Sequence, residues 1–208
     1  MLSDRRVIIP CAGRGTRMHM RHNESKEMME VDGEPLIEFA LKLSYVANAD
    51  PLVITRSDKR DLLRYCDDRG VETLTIEPAG EWPATILASE FLWRPYNVLI
   101  LPDTRFEPKM VVEWLFSKME KDNAPVVFAT HEVEDPNNWG IVGEEFGESF
   151  VVEKPTEPCV NTAWGLIGFK RDITGLDMFR RMCSRGSKKY FNKTETIKLR
   201  KFADVTRG

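Results

Sequence analysis

Short apolar runs and amphipathic stretches alternate along the first 130 residues of the chain. Val7–Ile9 has the pattern of a buried strand, and the apolar positions that follow Pro35 recur at helical spacing. This alternation indicates a parallel sheet with helices on both faces. The predicted strands are Arg6–Ile9, Pro51–Thr55, Val71–Ile76, Asn97–Leu101 and Ala124–Ala129, and the predicted helices are Pro35–Ala47, a stretch between Ser57 and Gly70, Pro83–Leu92 and Pro108–Lys121.

The pattern changes after Asp135. Shorter β segments are expected at Gly140–Gly143, Ser149–Glu153 and Trp164–Phe169, followed by a helix at Ile173–Met182 and a late strand at Ile197–Ala203. No linker rich in Pro, Gly or Ser divides the chain. We therefore expect a single α/β domain spanning residues 1–208, with a parallel half (1–134) and a β-rich half (135–208).

Composition narrows the class of protein. The 208 residues are 42% hydrophobic and 30% charged with a net charge of −3, which is typical of a globular protein and excludes a disordered chain. The longest apolar runs are strand-sized and the apolar stretch Val7–Ile9 is too short for a signal peptide, so we expect neither a membrane span nor a signal peptide. The four cysteines lack metal-ligand spacing, so we expect a cytoplasmic protein without membrane association, disulfide framework or structural zinc.

Positive charge is concentrated near the end of the given sequence, where residues 170–208 hold twelve Lys/Arg against four Asp/Glu. Such a region attracts phosphates, on a small molecule or on a nucleic acid. Lys188, Lys189 and Lys193 lie in a stretch without a known nucleic-acid motif, which favours a solvated surface. We expect no nucleic-acid partner.

A glycine-containing loop follows the first predicted strand. Gly13 and Gly15 allow close approach of the backbone to an anion, and Arg17 can add a bidentate contact to phosphate. Met18 stands where a dinucleotide loop has its third glycine, and no Gly-Lys-Ser/Thr follows. The number of glycines alone does not distinguish a plain strand-to-helix turn from a phosphate-binding loop, and both interpretations stay open.

Several segments together resemble those of sugar-phosphate nucleotidyltransferases, and among these the bacterial glucose-1-phosphate uridylyltransferases. The segments occur in the family's order and extend the resemblance over residues 6–204. They are Val7–Met18 (VIIPCAGRGTRM), Ser25–Met29 (SKEMM), Gly33–Ala40 (GEPLIEFA), Leu99–Asp103 (LILPD), Asp135–Val142 (DPNNWGIV), Val151–Pro155 (VVEKP), Asn161–Phe169 (NTAWGLIGF) and Phe202–Asp204 (FAD). The resemblance implies a GT-A-like, Rossmann-like fold with a nucleotide-binding half (1–134) and a sugar-phosphate-binding half (135–208).

The resemblance also implies a reaction in which a nucleoside triphosphate and a sugar 1-phosphate give a nucleotide sugar and pyrophosphate. For such a transfer a protein supplies position and positive charge more than covalent chemistry. Arg17, Lys26 and Lys154 match the family's catalytic positions, the first two at the triphosphate and the third at the sugar phosphate. The nucleotide is expected to contact Ala12, Gly13, Gly15, Thr16, Arg17, Lys26, Glu77 and Gly80, and the sugar phosphate Gly140, Glu153 and Lys154.

Two carboxylates are candidate ligands of Mg²⁺. Asp103 follows an apolar strand, and Asp204 follows the late strand. Carboxylates from separate loops suit one Mg²⁺ that bridges reacting phosphates. The competing interpretations are a turn-forming aspartate for Asp103 and a surface carboxylate for Asp204.

The choice of base, the choice of sugar and the oligomeric state stay open. Family members often have glutamine where Thr75 stands and proline where Ser25 stands, and Trp82 lies in a stretch that is usually small or polar. We expect Trp82 to be a core or interface residue, with stacking on a ligand as the alternative. Other functions considered are a cytidylyltransferase for an alcohol phosphate such as phosphocholine, and a non-catalytic nucleotide-sugar sensor.

Overall fold

The computed structural model describes residues 3–13, 25–77, 82–183, 188–191, 194–199 and 201–204. The strands are β1 (Arg5–Pro10), β2 (Glu30–Val31), β3 (Glu34–Pro35), β4 (Asp50–Thr55), β5 (Glu72–Thr75), β6 (Tyr96–Ile100), β7 (Thr104–Glu107), β8 (Val126–Glu132), β9 (Gly140–Glu145), β10 (Glu148–Glu153), β11 (Thr162–Lys170), β12 (Lys189–Phe191), β13 (Thr194–Lys198) and β14 (Lys201–Asp204). The α-helices are α1 (Glu38–Val46), α2 (Arg60–Asp67), α3 (Trp82–Leu87), α4 (Val111–Lys121) and α5 (Ile173–Met182). Single 3-10 turns lie at Lys26–Met28, Glu90–Leu92 and Pro136–Asn138.

A ten-stranded mixed sheet forms the centre of the molecule. Its main path runs β12-β10-β9-β11-β6-β1-β4-β5; off this path, β8 pairs with β11, and β13 pairs with β8. The pairs β6–β1, β1–β4 and β4–β5 are parallel, whereas β11 pairs antiparallel with β6, β8 and β9. The first part of the chain therefore has the Rossmann-like parallel arrangement predicted from the sequence, and the later part adds the expected β-rich layer.

Helices cover both faces of this sheet because strand residues alternate between two apolar clusters. Val7 and Ile9 of β1 pack in the cluster that includes residues of α1, α2 and α4. Ile8, between them, packs in the opposite cluster with residues of α3 and α5. Such strands, buried on both faces, are typical of parallel sheets in α/β proteins. The predicted fold class is confirmed.

Several predicted boundaries differ from the structure. Helix α1 begins at Glu38, since Pro35 lies in β3 instead of the first helical turn, and α2 begins at Arg60. The late strand was predicted as one element but is two: β13 extends the main sheet beside β8, and β14 leaves it to pair with β7. None of the helices in the described ranges is long and apolar enough to cross a lipid bilayer.

Candidate active site

The carboxyl ends of the parallel strands meet at one edge of the sheet, which is where open α/β sheets bind ligands. The Cys11 amide donates to the Ile54 carbonyl (2.6 Å), so Ala12 and Gly13 leave β1 at this edge. Ala12 is buried and Gly13 is exposed. A Cβ placed on Gly13 would meet no atom of the described residues within 4 Å. At Gly13 itself the described part of the chain is compatible with close approach of a ligand to the backbone.

Lys26 lies in a short segment that is anchored to α2. The amide and the hydroxyl of Ser25 both donate to the Asp61 carboxylate, at 2.8 and 2.6 Å. Burial disfavours the charged carboxylate, yet these hydrogen bonds and that from the Leu62 amide outweigh it and lower the pKa of Asp61. Ser25, which departs from the family's usual proline, thus fixes the residue directly before Lys26.

A buried ion pair ties the same segment to the glycine loop. The Lys59 ammonium donates to both Glu27 carboxylate oxygens (2.9 and 2.8 Å) and to the Cys11 carbonyl (2.6 Å). Both side chains of the pair are almost fully buried. One cation therefore joins the end of β1, the segment of Lys26 and the start of α2.

Lys26 and Asp103 are 77 residues apart in the chain and in direct contact in the fold. The Lys26 ammonium lies 2.6 Å from Oδ2 of Asp103, and their side chains are 20% and 14% exposed. Burial by itself would lower the pKa of Lys26, but the Asp103 charge and hydrogen bond raise it above its usual value. Lys26 thus remains a cation at the carboxyl end of β6.

A cleft with a volume of about 160 Å³ extends from Asp103 across to the β-rich half. It brings together four of the residues predicted from sequence, namely Asp103, Gly140, Glu153 and Lys154. The other residues that line it are Trp82, Leu101, Thr104, Asn138, Trp139 and Trp164. Three of the five tryptophans of the chain therefore line this one cleft.

Gly140 permits close packing inside the cleft. A Cβ at this position would stand 1.9 Å from Trp164 Nε1 and 2.6 Å from Glu153 Oε2. Any side chain here would displace the indole and the carboxylate. The need for glycine therefore comes from the chain's own side chains, which occupy the space where we expected a sugar to approach the backbone.

Lys154 follows directly after β10 with its backbone in the left-handed region (φ 47°). Its amide donates to the Trp139 carbonyl at 3.0 Å. Non-glycine residues rarely adopt this conformation, and they do so often at functional sites. The turn brings Lys154 into the lining of the cleft beside Glu153.

The second candidate metal ligand lies on the neighbouring ribbon. In the β7–β14 pair, Asp204 is opposite Thr104, the residue that follows Asp103. The backbone therefore brings the two predicted ligands to the same place. Among the residues that the structure describes, no group of three or more His, Cys, Asp or Glu side chains forms a metal cluster.

Of the remaining expected nucleotide contacts, Glu77 is the one that lies within the described residues. Glu77 is exposed just beyond β5 and accepts a long hydrogen bond (3.5 Å) from Ser57, outside the lining of the cleft. Four further expected residues fall outside the described residues: Gly15, Thr16, Arg17 and Gly80.

The sequence did not predict Lys59, Asp61 or Trp164 as site residues. Lys59 and Asp61 lie in a stretch that looks like the charged start of an ordinary surface helix. Only the fold places them against the segment of Lys26. Trp164 lies within the NTAWGLIGF segment, and its large aromatic side chain beside Gly165 is the one available signal.

Comparison with known proteins bears on the family of the chain. The model of the MobA-like NTP transferase domain matches residues 7–163. The UTP–glucose-1-phosphate uridylyltransferase AglF of Haloferax volcanii is 27% identical over 168 residues, covering 74% of this chain and 67% of its own.

Two solved structures share the fold. A Bacillus anthracis protein assigned as a glucose-1-phosphate thymidylyltransferase, in complex with sucrose, has a TM-score of 0.78 at 16% identity, over 97% of this chain and 89% of its own. A UDP-glucose pyrophosphorylase complexed with UDP-glucose has a TM-score of 0.72 at 21% identity, over 99% and 94%. The predicted GT-A-like fold and the resemblance to nucleotidyltransferases are confirmed. Because the family model matches most of its length, the chain belongs to the MobA-like NTP transferase family and is a nucleotidyltransferase.

Proposed function

We propose that the protein transfers a nucleotidyl group from a nucleoside triphosphate to a sugar 1-phosphate. An oxygen of the sugar phosphate attacks the α-phosphorus, the bond from that phosphorus to the bridging oxygen breaks, and pyrophosphate leaves. The observation that carries the proposal is the cleft, which joins Asp103, in contact with Lys26, to Glu153 and Lys154. A cleft with Lys154 in its lining, and with Lys26 paired to Asp103 beside its other end, suits two phosphates that must meet in line.

The triphosphate is assigned to the edge where Ala12 and Gly13 leave β1. Backbone amides of the loop, together with Gly15, Thr16 and Arg17 of the same sequence motif, provide donors for the phosphate oxygens. Lys26 offsets negative charge that develops on the leaving pyrophosphate. Its anchoring through Ser25 and Glu27 limits the movement of this segment.

The acceptor is assigned to the other end of the cleft. Lys154 places an ammonium group near the acceptor phosphate, and Glu153 offers a carboxylate to sugar hydroxyls. Glu153 is only 7% exposed, so a hydroxyl that binds it exchanges water for a charged partner in a largely dry site. The product of this arrangement is a nucleotide sugar, and AglF, a relative, is named for a reaction of this kind.

Asp103 and Asp204 are the residues that would hold a divalent cation. Two carboxylates are the ligands that Mg²⁺ prefers, and the pairing of β7 with β14 is compatible with a shared site. When bound, Mg²⁺ supplies positive charge to the reacting phosphates. Lys26, already beside Asp103, adds to the positive charge on that side of the cleft.

Pyrophosphate release tests the proposal directly. The purified protein is incubated with Mg²⁺, each common nucleoside triphosphate and a panel of sugar 1-phosphates, with the matching sugar 6-phosphates as controls. We expect release with at least one sugar 1-phosphate and none with the 6-phosphates, because Lys154 aligns a phosphate at the anomeric position. Absence of pyrophosphate from every pair would contradict the proposed function.

A second candidate acceptor is an alcohol phosphate with a cationic head, such as phosphocholine. The aromatic lining of Trp82, Trp139 and Trp164 around the Glu153 carboxylate favours this candidate, since aromatic faces and carboxylates both attract quaternary ammonium groups. CTP with phosphocholine therefore belongs in the same panel. Release of pyrophosphate from this pair alone would replace the sugar assignment.

A further inference from the structure

Trp164 reaches the cleft because of an irregularity in β11. The pairing of β11 with β8 shifts by one residue between Trp164 and Leu166. Leu166 packs in the cluster on the side of α4, whereas Trp164 packs in the opposite cluster with residues of α3 and α5. In a regular strand these two residues would share a face. The bulge therefore turns Trp164 from the α4 face to the face that carries the cleft.

The indole of Trp164 occupies the notch above Gly140. Its ring packs 5.2 Å from that of Trp82, whose other neighbour is Phe179 of α5 at 6.3 Å. Trp164 is 5% exposed, and its Nε1–H has no hydrogen-bond partner in the described part of the chain. A buried indole N–H normally has a partner.

A carboxylate oxygen stands beside this N–H. Trp164 Nε1 and Glu153 Oε2 both lie within 2.6 Å of the point that a Cβ of residue 140 would occupy. A hydroxyl group matches this pair of groups, because it can accept from the indole N–H and donate to the carboxylate at once. A methylene or a trimethylammonium group can do neither.

We propose that Trp164 is a specificity-determining residue. Together with Glu153, it selects an acceptor whose sugar ring places a hydroxyl group between the Trp164 N–H and the Glu153 carboxylate. The inference rests on the proposed function, since it assigns the cleft to a sugar phosphate. The size of the Trp164 ring limits the depth of the subsite above Gly140, and its N–H donates a hydrogen bond to one hydroxyl group. Trp82 and α5 hold the indole in place.

The test uses Trp164→Phe, which keeps an aromatic ring and removes the N–H. Acceptor and triphosphate KM values are measured with the best sugar 1-phosphate of the panel and with its monodeoxy analogues. We expect the acceptor KM to rise about three- to ten-fold, the value of one neutral hydrogen bond, with the triphosphate KM unchanged. One monodeoxy analogue should bind wild type and variant alike, because it lacks the hydroxyl that Trp164 contacts.

Trp93→Phe is the matched control. Trp93 is a buried tryptophan outside the cleft whose Nε1–H donates to Ser89 at 3.0 Å, so the same chemical change there should leave both KM values unaltered. The assignment is overturned if the Trp164→Phe enzyme has an unchanged acceptor KM. It is also overturned if the substitution raises the acceptor KM equally with every monodeoxy analogue.

A second measurement needs no active variant. In wild-type protein labelled with ¹⁵N at its indoles, saturation with the sugar 1-phosphate should move the Trp164 N–H resonance and leave that of Trp93 in place. An unmoved Trp164 resonance overturns the inference. Failure of the proposed function is distinct, because it appears earlier as wild-type protein that turns over no sugar 1-phosphate.

Discussion

At the scale of single residues, Asp103 carries the most weight in the site. Its carboxylate contacts Lys26, and it lies at the end of β6 beside the proposed cation site. Asp103→Asn removes one negative charge with almost no change in size. We expect kcat to fall by more than about 10²-fold, because the charge stabilisation of the reacting phosphates depends on this carboxylate.

Pyrophosphate release measures this loss, and circular dichroism and urea unfolding check the fold of the variant. Asp122→Asn is the matched control, since that carboxylate forms an exposed pair with Lys118 at the end of α4. It should retain the wild-type rate. An Asp103→Asn enzyme that turns over like wild type would remove Asp103 from the reaction.

The buried pair of Lys59 and Glu27 leads to a prediction about stability. Lys59→Met keeps the length of the side chain but leaves the Glu27 carboxylate buried without its cation. Breaking such a pair from one side costs about 3–5 kcal/mol of unfolding free energy, which urea denaturation measures. Lys59→Met combined with Glu27→Leu should recover much of this loss.

The same substitution at an exposed pair provides the comparison. Lys118→Met breaks the contact with Asp122 (2.9 Å), in which both side chains are at least 40% exposed. We expect a change within about 0.5 kcal/mol there, because solvent screens such pairs. Equal costs at Lys59 and Lys118 would show that burial of the Glu27 pair has no special energetic role.

The sequence predicted the residues of the cleft better than those that support it. Asp103, Glu153 and Lys154 lie in short motifs whose order is visible in the sequence. Lys59 is 32 residues from Glu27, and nothing in the local pattern indicates that an ammonium on a charged helix start becomes buried. Contacts of this kind depend on how the elements pack.

At the scale of elements, α5 is the one helix for which the structure describes a side-chain N-cap. The Asp172 carboxylate accepts from the amides of Thr174 (2.9 Å) and Gly175 (3.0 Å). Asp172→Ala should lower the unfolding free energy by about 0.5–2 kcal/mol, measured by urea denaturation. Asp172→Asn should retain most of the stability, because asparagine is also a good N-cap. Equal losses in the two variants would contradict a capping role.

Elements whose apolar pattern is continuous were predicted with the right type. Helix α5 occurs at Ile173–Met182 as predicted, because its apolar residues Met178, Phe179 and Met182 face the core. Strand β7 was missed, since Thr104–Glu107 carries no apolar run and forms by pairing with β14. A two-stranded ribbon that joins residues about 100 positions apart has no local signal.

At the scale of the whole molecule, one sheet connects both halves of the chain. Strand β11 comes from the second half and lies between β6 and β9, so the two ends of the cleft belong to one framework. Strand β8, which pairs with β11, carries the buried His131, and this histidine packs edge-on at 5.2 Å against Trp139 of the cleft. Its titration therefore affects the stability of this framework.

Burial lowers the pKa of His131 below its usual value, although the Glu132 carbonyl and charge oppose the shift. Well above the ordinary histidine pKa of about 6.5, the side chain is neutral in both states and its ionisation adds nothing to stability. As the pH falls below 6.5, the unfolded chain binds a proton that the folded protein does not, so folding stability decreases by at most about 1.4 kcal/mol per pH unit.

His131→Phe keeps an aromatic ring and removes the titration. Urea denaturation at pH 7.5, 6.5 and 5.5 should show wild type losing stability relative to the variant only in the acidic range. Wild type and variant differ only at residue 131, so the contributions of all other groups, His19 and His22 included, cancel in the difference. A difference that stays constant from pH 7.5 to 5.5 would show that His131 has the same pKa folded and unfolded.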